Sequence, residues 1–293
     1  MNTSPTPSNL NRSALRKRIC AGCIAALLCG VSWSARANLI AYDGFNYPLG
    51  QTVIGQGTNA GWSSSGQKYT TSSGANGNST LEASSMSPTY GLLTSGNQLD
   101  VNGSAAAGGS AGVYRGLGLT YSTANNIYWF SVLMHLDSGG GSAYAGVSLF
   151  NDTTSEQEQL FFGQRNTATT WGLEQHAGHG ANSSVSAIGS SAALLVVELN
   201  GNTDTASLFV DPTSLGGDAP NTPSATITFT DFSFNTFRIQ AGDEDLDVDE
   251  MRFGTSYADV TPVPEPGVAW LAVPGLFSIL LVTRRQKRAC ATQ

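Results

Sequence analysis

The densest group of ionisable side chains in this 293-residue chain is acidic: Asp243, Glu244, Asp245, Asp247, Asp249 and Glu250. Alternate residues of a strand share a face, so an extended run sets Asp245, Asp247 and Asp249 on one side and Leu246 and Val248 on the other. Carboxylates this close repel unless water or a cation lies between them. Calcium takes carboxylate and carbonyl oxygens in flexible geometry and is the ion such a run suits, with Asp43 joining the three aspartates if the first and last strands pair. The glycine that an EF-hand needs at its sixth position is absent. A solvated acidic edge that deters edge-to-edge pairing is the simpler reading and requires no cofactor.

Other residue groups suggest less chemistry. Glu156-Gln-Glu158 follows Asn151-Asp152 and reads as a solvated turn. His176-Ala-Gly-His179 offers two ligands in a glycine-rich loop where zinc takes three or four, so it reads as loop. His135 shares a strand face with Trp129 and Leu133 and reads as a core residue. No glycine-rich phosphate loop, nucleophile elbow or Cys/His pair occurs between residues 38 and 262. Sugar binding calls for aromatic faces beside hydrogen-bonding side chains. Trp62, Tyr69, Tyr90, Tyr114, Tyr144 and Trp171 are available, with Trp62 and Trp171 as the leading pair. Trp62, in Gly61-Trp62-Ser63, equally suits a plug at one end of a β-sandwich.

Elements must position these residues, and no stretch between 38 and 262 keeps a 3.6-residue apolar period. Short apolar or alternating runs recur instead, broken by Gly, Asn, Ser and Asp. They predict strands over 39–42, 98–102, 113–119, 126–137, 142–150, 158–164, 170–175, 194–200, 205–210, 225–229, 236–240 and 248–253. The segment 126–137 is nearly continuous in apolar character, as suits a central strand covered on both faces. Residues 50–80 carry little strand signal. About a dozen strands at roughly 8–12-residue spacing predict one all-β domain, a sandwich or barrel. About 220 residues suffice for one sizeable core. All four cysteines (Cys20, Cys23, Cys29 and Cys290) lie outside this region, so no disulfide supports it. Lys68, Arg115, Arg165, Arg238 and Arg252 stand against twenty acidic residues there, a net charge of −15. That balance argues against nucleic acid and anionic membrane surfaces as partners.

Both ends read as addresses. Arg12, Arg16, Lys17 and Arg18 precede an apolar run over 19–31, and Ala35-Arg36-Ala37 is an A-x-A cleavage site. Residues 1–37 are therefore expected to be a secretory signal peptide cut before Asn38. At the other end Val263-Pro264-Glu265-Pro266 precedes a 16-residue apolar run, 268–283, and the basic stop Arg284-Arg285-Gln286-Lys287-Arg288. As a helix the run spans roughly 24 Å, short of the ~30 Å hydrocarbon core, and Pro274 would kink it. Arg284 and Arg285 can snorkel and hold the cytoplasmic side. A permanent anchor and a buried core helix are the alternatives, the latter with no helical partner to pack on. The order of these elements resembles the PEP-CTERM sorting signal of bacteria that make exopolysaccharide. The resemblance implies an exosortase-type processing enzyme that recognises Pro-Glu-Pro and a transient stay in the inner membrane. The final location it implies is the cell surface, outer envelope or extracellular matrix.

Four segments carry a second resemblance: Asn38-Leu-Ile-Ala-Tyr-Asp-Gly-Phe-Asn-Tyr-Pro48, Tyr144-Ala-Gly-Val-Ser-Leu-Phe150, Trp171-Gly-Leu-Glu174 and the closing segment 248–262, which opens Val-Asp-Glu-Met-Arg-Phe. They are similar to LamG-like domains of proteins with such tails. The resemblance implies a concanavalin A-like jelly-roll sandwich over 38–258, two antiparallel sheets with the first and last strands adjacent. An N-terminal signal helix would precede it, and a linker with a short C-terminal transmembrane helix would fill 259–293. Such sandwiches host lectins, adhesion modules and glycosidases alike, so the fold leaves function open. Residues 245–250 are also similar to the alternating acidic strand of jelly-roll glycosidases, but open on Asp where that family has Glu and lie at the domain's end. Retaining hydrolysis uses two carboxyls about 5–5.5 Å apart. Positions i and i+4 stand ~13 Å apart along a strand, so a bulge or side-chain convergence must close the gap. The expected function is that of a non-catalytic exported surface or matrix protein engaging extracellular polysaccharide. A purely structural matrix or adhesion component is one alternative, and a polysaccharide hydrolase or lyase the other.

Overall fold

The computed structural model describes residues 39–57, 62, 68–72, 78–83, 86, 91–104, 109–138, 143–151, 157–175, 179–187 and 191–263. The signal peptide with Ala35 and Ala37, the sorting residues Pro264, Glu265, Pro266, Arg284 and Arg285, and the apolar run 268–283 lie outside them, as do Tyr90, Glu156 and His176. Among the described residues no helix is long and apolar enough to cross a membrane.

Fifteen strands occur among the described residues: β1 (Leu39–Asp43), β2 (Thr70–Thr71), β3 (Ser79–Glu82), β4 (Gln98–Asn102), β5 (Ser110–Ser122), β6 (Ile127–Ser138), β7 (Tyr144–Phe150), β8 (Glu158–Gln164), β9 (Thr170–Gln175), β10 (His179–Ser186), β11 (Ala193–Asn200), β12 (Thr205–Val210), β13 (Ala225–Thr228), β14 (Ser233–Gly242) and β15 (Asp245–Gly254). They form two antiparallel sheets packed face to face. The first runs β13-β12-β11-β6-β15-β4-β3 with β1 beside β15, and the second runs β10-β9-β8-β7-β14-β5-β2. The chain changes sheet repeatedly, from β4 to β5, β5 to β6, β13 to β14 and β14 to β15. The first and last strands pair, with Ala41 opposite Phe253 and Asp43 opposite Met251. This winding fits a concanavalin A-like jelly roll. The three strands the sequence did not announce, β2, β3 and β10, are both ends of the second sheet and one end of the first. Strands β2 and β3 are short, and β10 is polar and mostly solvent-facing, so neither pattern carries a core-facing apolar stripe.

Strand β6 lies between β11 and β15, and its near-continuous apolar character has a cause on each face. Phe130, Val132, Met134 and Leu136 enter the main core between the sheets. Trp129 and Leu133 point the other way, into a second cluster with Leu194, Val196, Phe209, Tyr257 and Val260. A short helix, α1 (Tyr257–Val260), lies over this outer face, closed by a capping box in which Ser256 and Asp259 satisfy each other's backbone N–H. Ser131 Oγ donates to the Val260 carbonyl at 2.5 Å, and Leu93 N donates to the Pro262 carbonyl at 3.0 Å. Residues 259–262, expected in a linker, are thus held against the sandwich. Val263 follows them and lies beside Gly216.

Strand β15 changes neighbour along its length. Asp245–Val248 pair with β4, while Met251–Gly254 pair with β1. At the changeover the register against β6 slips by one residue between Asp249 and Arg252, and Glu250 takes a φ of +55°. This is a β-bulge, an extra residue that bends the strand, and it lies beyond Asp249, so it does not bring Asp245 and Asp249 together. The buried Glu250 carboxylate accepts from Ser95 N and from the Arg252 guanidinium.

Candidate functional site

The acidic run divides between two faces. Leu246 and Val248 enter the main core, so Asp245 and Asp247 face outward. Asp43 faces inward, because its partner Met251 and its neighbour Ala41 are core residues. There its carboxylate forms an ion pair with Arg115 of the opposite sheet, and both side chains are fully buried. Asp43 Oδ1 accepts from Phe45 N at 2.8 Å, and Oδ2 from Tyr47 Oη at 3.0 Å and Tyr69 Oη at 2.9 Å. Asp43 is therefore a structural anchor on the other side of the sheet from Asp245 and Asp247, and the expected four-aspartate calcium site is not assembled. Among the described residues no three His, Cys, Asp or Glu side chains are arranged to hold a metal ion. Asp249, 1 % exposed, instead accepts from Glu250 N at 2.7 Å.

What the outward acids meet is another carboxyl. Asp100 on β4 stands opposite Asp247, which stands opposite His135 on β6. His135 Nδ1 lies 3.6 Å from Asp247 Oδ2, so this histidine belongs to the acidic row, not to the core. Burial, then a hydrogen bond to Asp245 and the charges of Asp245, Asp247 and Glu82, push the Asp100 carboxyl up to about 8. A carboxyl whose pKa is higher folded than unfolded contributes stability that is complete below about pH 4 and lost as pH rises through about 8. The melting temperature is accordingly expected to fall between pH 5 and pH 8, by on the order of 2–4 °C per kcal/mol for a domain this size. Asp100→Asn should flatten that fall in a thermal-denaturation series. An unchanged slope in the variant would remove Asp100 as its cause.

Neither tryptophan expected to stack on a sugar has a free face. Trp171 is 1 % exposed and lies in the main core. Trp62, 6 % exposed, packs under the Arg115 guanidinium at 4.3 Å and edge-on to Phe237, while its Nε1 donates to the Tyr42 carbonyl. Trp62 is thus a buried member of the main core cluster. Tyr69 is spent in the same way on Asp43 and Arg115.

Tyr144, half-buried, is the aromatic side chain open to a ligand on the outer face of the second sheet, beside a cleft of about 140 Å³ that Glu158, Phe161, Arg165, Asn166, Glu174 and Gln240 also line, Phe161 being itself buried. The strand register explains its shape. Gly112, Gln240, Gly146, Gly163, Gly172 and Asn182 form one cross-strand row over six strands. Neighbours in such a row stand about 4.8 Å apart, and four of the six lack a side chain. Larger side chains from the flanking rows occupy the space. A Cβ on Gly146 would stand 2.8 Å from the Phe161 ring, and Cβ atoms on Gly242 and Gly180 would collide with the Tyr144 ring and the Arg165 guanidinium. The glycines thus let two rings and one guanidinium settle onto the sheet. Two ion pairs hold the polar groups: Arg165 Nε to Glu174 Oε2 and Arg238 Nη2 to Glu158 Oε2, both at 2.7 Å. Asn182 Oδ1 accepts from Arg165 Nη1 at 3.1 Å, Ser148 Oγ donates to Glu158 Oε2 at 2.6 Å, and the Arg238 guanidinium lies 4.4 Å above the Phe150 ring. Tyr144 and Glu158 stood among the residues named from sequence. Arg165 and Glu174 were named only in the charge count and in a resemblance segment, Phe161 and Gln240 not at all, and strand alternation was the signal that could have placed them outward.

No family model matches this chain, and no curated protein matches it. Solved structures that it is similar to include the T. cruzi calreticulin globular domain (TM-score 0.44, 12 % identity, 66 % of this chain and 86 % of that one). The botulinum neurotoxin type G receptor binding domain is another (0.44, 8 %, 77 % of this chain and 49 % of that one). The alginate lyase AlgAT5 from polysaccharide lyase family 7 is a third (0.33, 7 %, 48 % and 65 %). The chain spans 28 % of the Trypanosoma rangeli sialidase with which it also aligns.

Proposed function

We propose that this is an exported, non-catalytic surface or matrix protein that binds polysaccharide through the outer-face cleft of the second sheet. In this reading the body is a LamG-like, concanavalin A-like jelly roll. Residues 1–37 direct export, and the PEP-CTERM tail holds the protein in the inner membrane until an exosortase-type enzyme releases it to the cell surface or matrix. The observation that carries the binding reading is the cleft itself, with two rings seated over glycines between two Arg–Glu pairs. At about 140 Å³ it is smaller than the ~300–1,000 Å³ typical of enclosed small-molecule sites, which suits one subsite of a longer chain. The cleft and the acidic row lie on different sheets, so binding needs no calcium. Titration of the full-length protein against a polysaccharide panel is expected to give saturable binding, equal in calcium and in chelator. Tyr144→Ala should weaken it by about tenfold, the scale of one lost ring contact, with the melting temperature held. Binding that Tyr144→Ala and Phe161→Ala leave untouched would place the ligand elsewhere, and no binding would favour a purely structural role.

One observation favours a hydrolase as the second reading. The raised Asp100 carboxyl beside Asp245 and Asp247 is the divergent environment that separates an acid from a base. Polysaccharide turnover that Asp247→Asn abolishes while binding persists would establish it.

A further inference from the structure

We infer that the cleft selects uncharged polysaccharide, reading ring hydroxyls, and rejects polyuronates and other anionic chains. This rests on the reading that the cleft binds polysaccharide at all, and names which chemistry it takes.

Charge is the first argument. Of the five basic residues between 38 and 262, Arg115 and Arg252 are buried in ion pairs within the sandwich. Arg165 lines the cleft and pairs with Glu174, and Arg238, outside the lining, pairs with the cleft's Glu158, each at 2.7 Å. The cleft therefore holds two closed ion pairs and no surplus cation, on a body of net charge −15. An anionic polymer approaching it meets a repulsive field and finds no uncompensated guanidinium to offset that field.

The unspent hydrogen-bonding groups are the second argument. Each glutamate gives one oxygen, Oε2, to its arginine, and Oε1 of Glu158 and of Glu174 has no partner among the described residues. These side chains keep 24 % and 30 % of their surface exposed, so the free oxygens can reach a ligand. The Tyr144 hydroxyl and the Gln240 and Asn166 amides, also lining the cleft, are likewise unpartnered among the described residues. Two carboxylate acceptors accept only from a donor, which a sugar hydroxyl is and a uronate or sulfate group is not. The amides and the phenol both donate and accept, as hydroxyls do. A ligand carboxylate set against Glu158 or Glu174 would repel it.

The test uses full-length protein and matched pairs of hexasaccharides that differ at C6 alone: gluco-, manno- and galacto-oligomers against their uronate counterparts. At low salt the neutral member of the bound pair is expected to be at least about tenfold tighter. Added salt should narrow the gap by screening the uronate's repulsion. Glu174→Gln, which frees Arg165 and removes one repelling oxygen, should shrink the neutral-to-uronate ratio by about tenfold. Its melting temperature serves as the control for folding. A uronate bound as tightly as its neutral partner by the wild type, or a ratio that Glu174→Gln leaves unchanged, would overturn the selectivity while the binding reading stands. Failure of all six oligomers to bind would remove both.

Discussion

Arg115→Ala is expected to lower the unfolding free energy by about 3–5 kcal/mol, the scale for removing one partner of a buried ion pair. Arg115 is 1 % exposed and Asp43 fully buried, and between them they join β5 of one sheet to β1 of the other. The substitution leaves the Asp43 carboxylate in the interior, where Phe45 N, Tyr47 Oη and Tyr69 Oη still donate to it. It also removes the guanidinium that lies 4.3 Å over Trp62 and 4.8 Å over Tyr69, opening a void under both rings. Burial already lowers the Arg115 guanidinium from its ordinary value to about 9, so the charge is held at a cost that Asp43, the Tyr47 hydroxyl and the rings offset. Arg115→Lys should fall between, because an ammonium keeps the charge but not the planar face. Urea unfolding reads these differences directly. A loss below about 1 kcal/mol in the alanine variant would show that the pair does not hold the sheets together.

Phe253→Ala carries a loss of similar size, about 3–5 kcal/mol for a large aromatic removed from a packed core. Its ring stacks on Phe130 at 4.8 Å and 3° and meets Tyr121 at 5.0 Å, Tyr128 at 5.5 Å and Phe234 at 5.7 Å. Phe253 and Phe130 come from the first sheet, Tyr121 and Phe234 from the second, so the cluster is the apolar counterpart of the Arg115–Asp43 tie. Phe253→Leu should recover most of the loss. The double variant with Phe130→Ala should lose less than the two single losses added, because each ring is the other's main contact. Equilibrium unfolding of the four proteins checks this, and strict additivity would deny the stacking.

The sequence shows some of this and hides the rest for identifiable reasons. The alternation of 245–249 and the continuous run of β6 were legible, because core-facing apolar residues leave a period behind, while the phase change at the Glu250 bulge was not. Strand β10 was hidden, since a polar sheet-edge strand has no such stripe. Asp43 was legible as the end of a strand but not as the partner of Arg115, which lies on another strand of the other sheet. The cleft was hidden for the same reason. Gly146, Gly163 and Gly172 fall in three predicted strands, but nothing in the sequence aligns them until the register of those strands is known. Trp171 and Trp62 attracted a binding role by residue type alone, and only packing shows that both are buried.

The central claim is that ligand meets the glycine-floored cleft and not the acidic face. Selective isotope labelling of glycine, followed by amide shift mapping of the full-length protein on titration with the tightest-binding neutral hexasaccharide, tests it most directly. The largest shifts are predicted at Gly146, Gly163, Gly172 and Gly180, which lie beneath or beside the Phe161 ring and the Arg165 guanidinium. Gly103 beside the acidic run, whose amide donates to the Glu244 carbonyl, should stay still. Shifts centred on Gly103 with the cleft glycines unmoved would contradict the account.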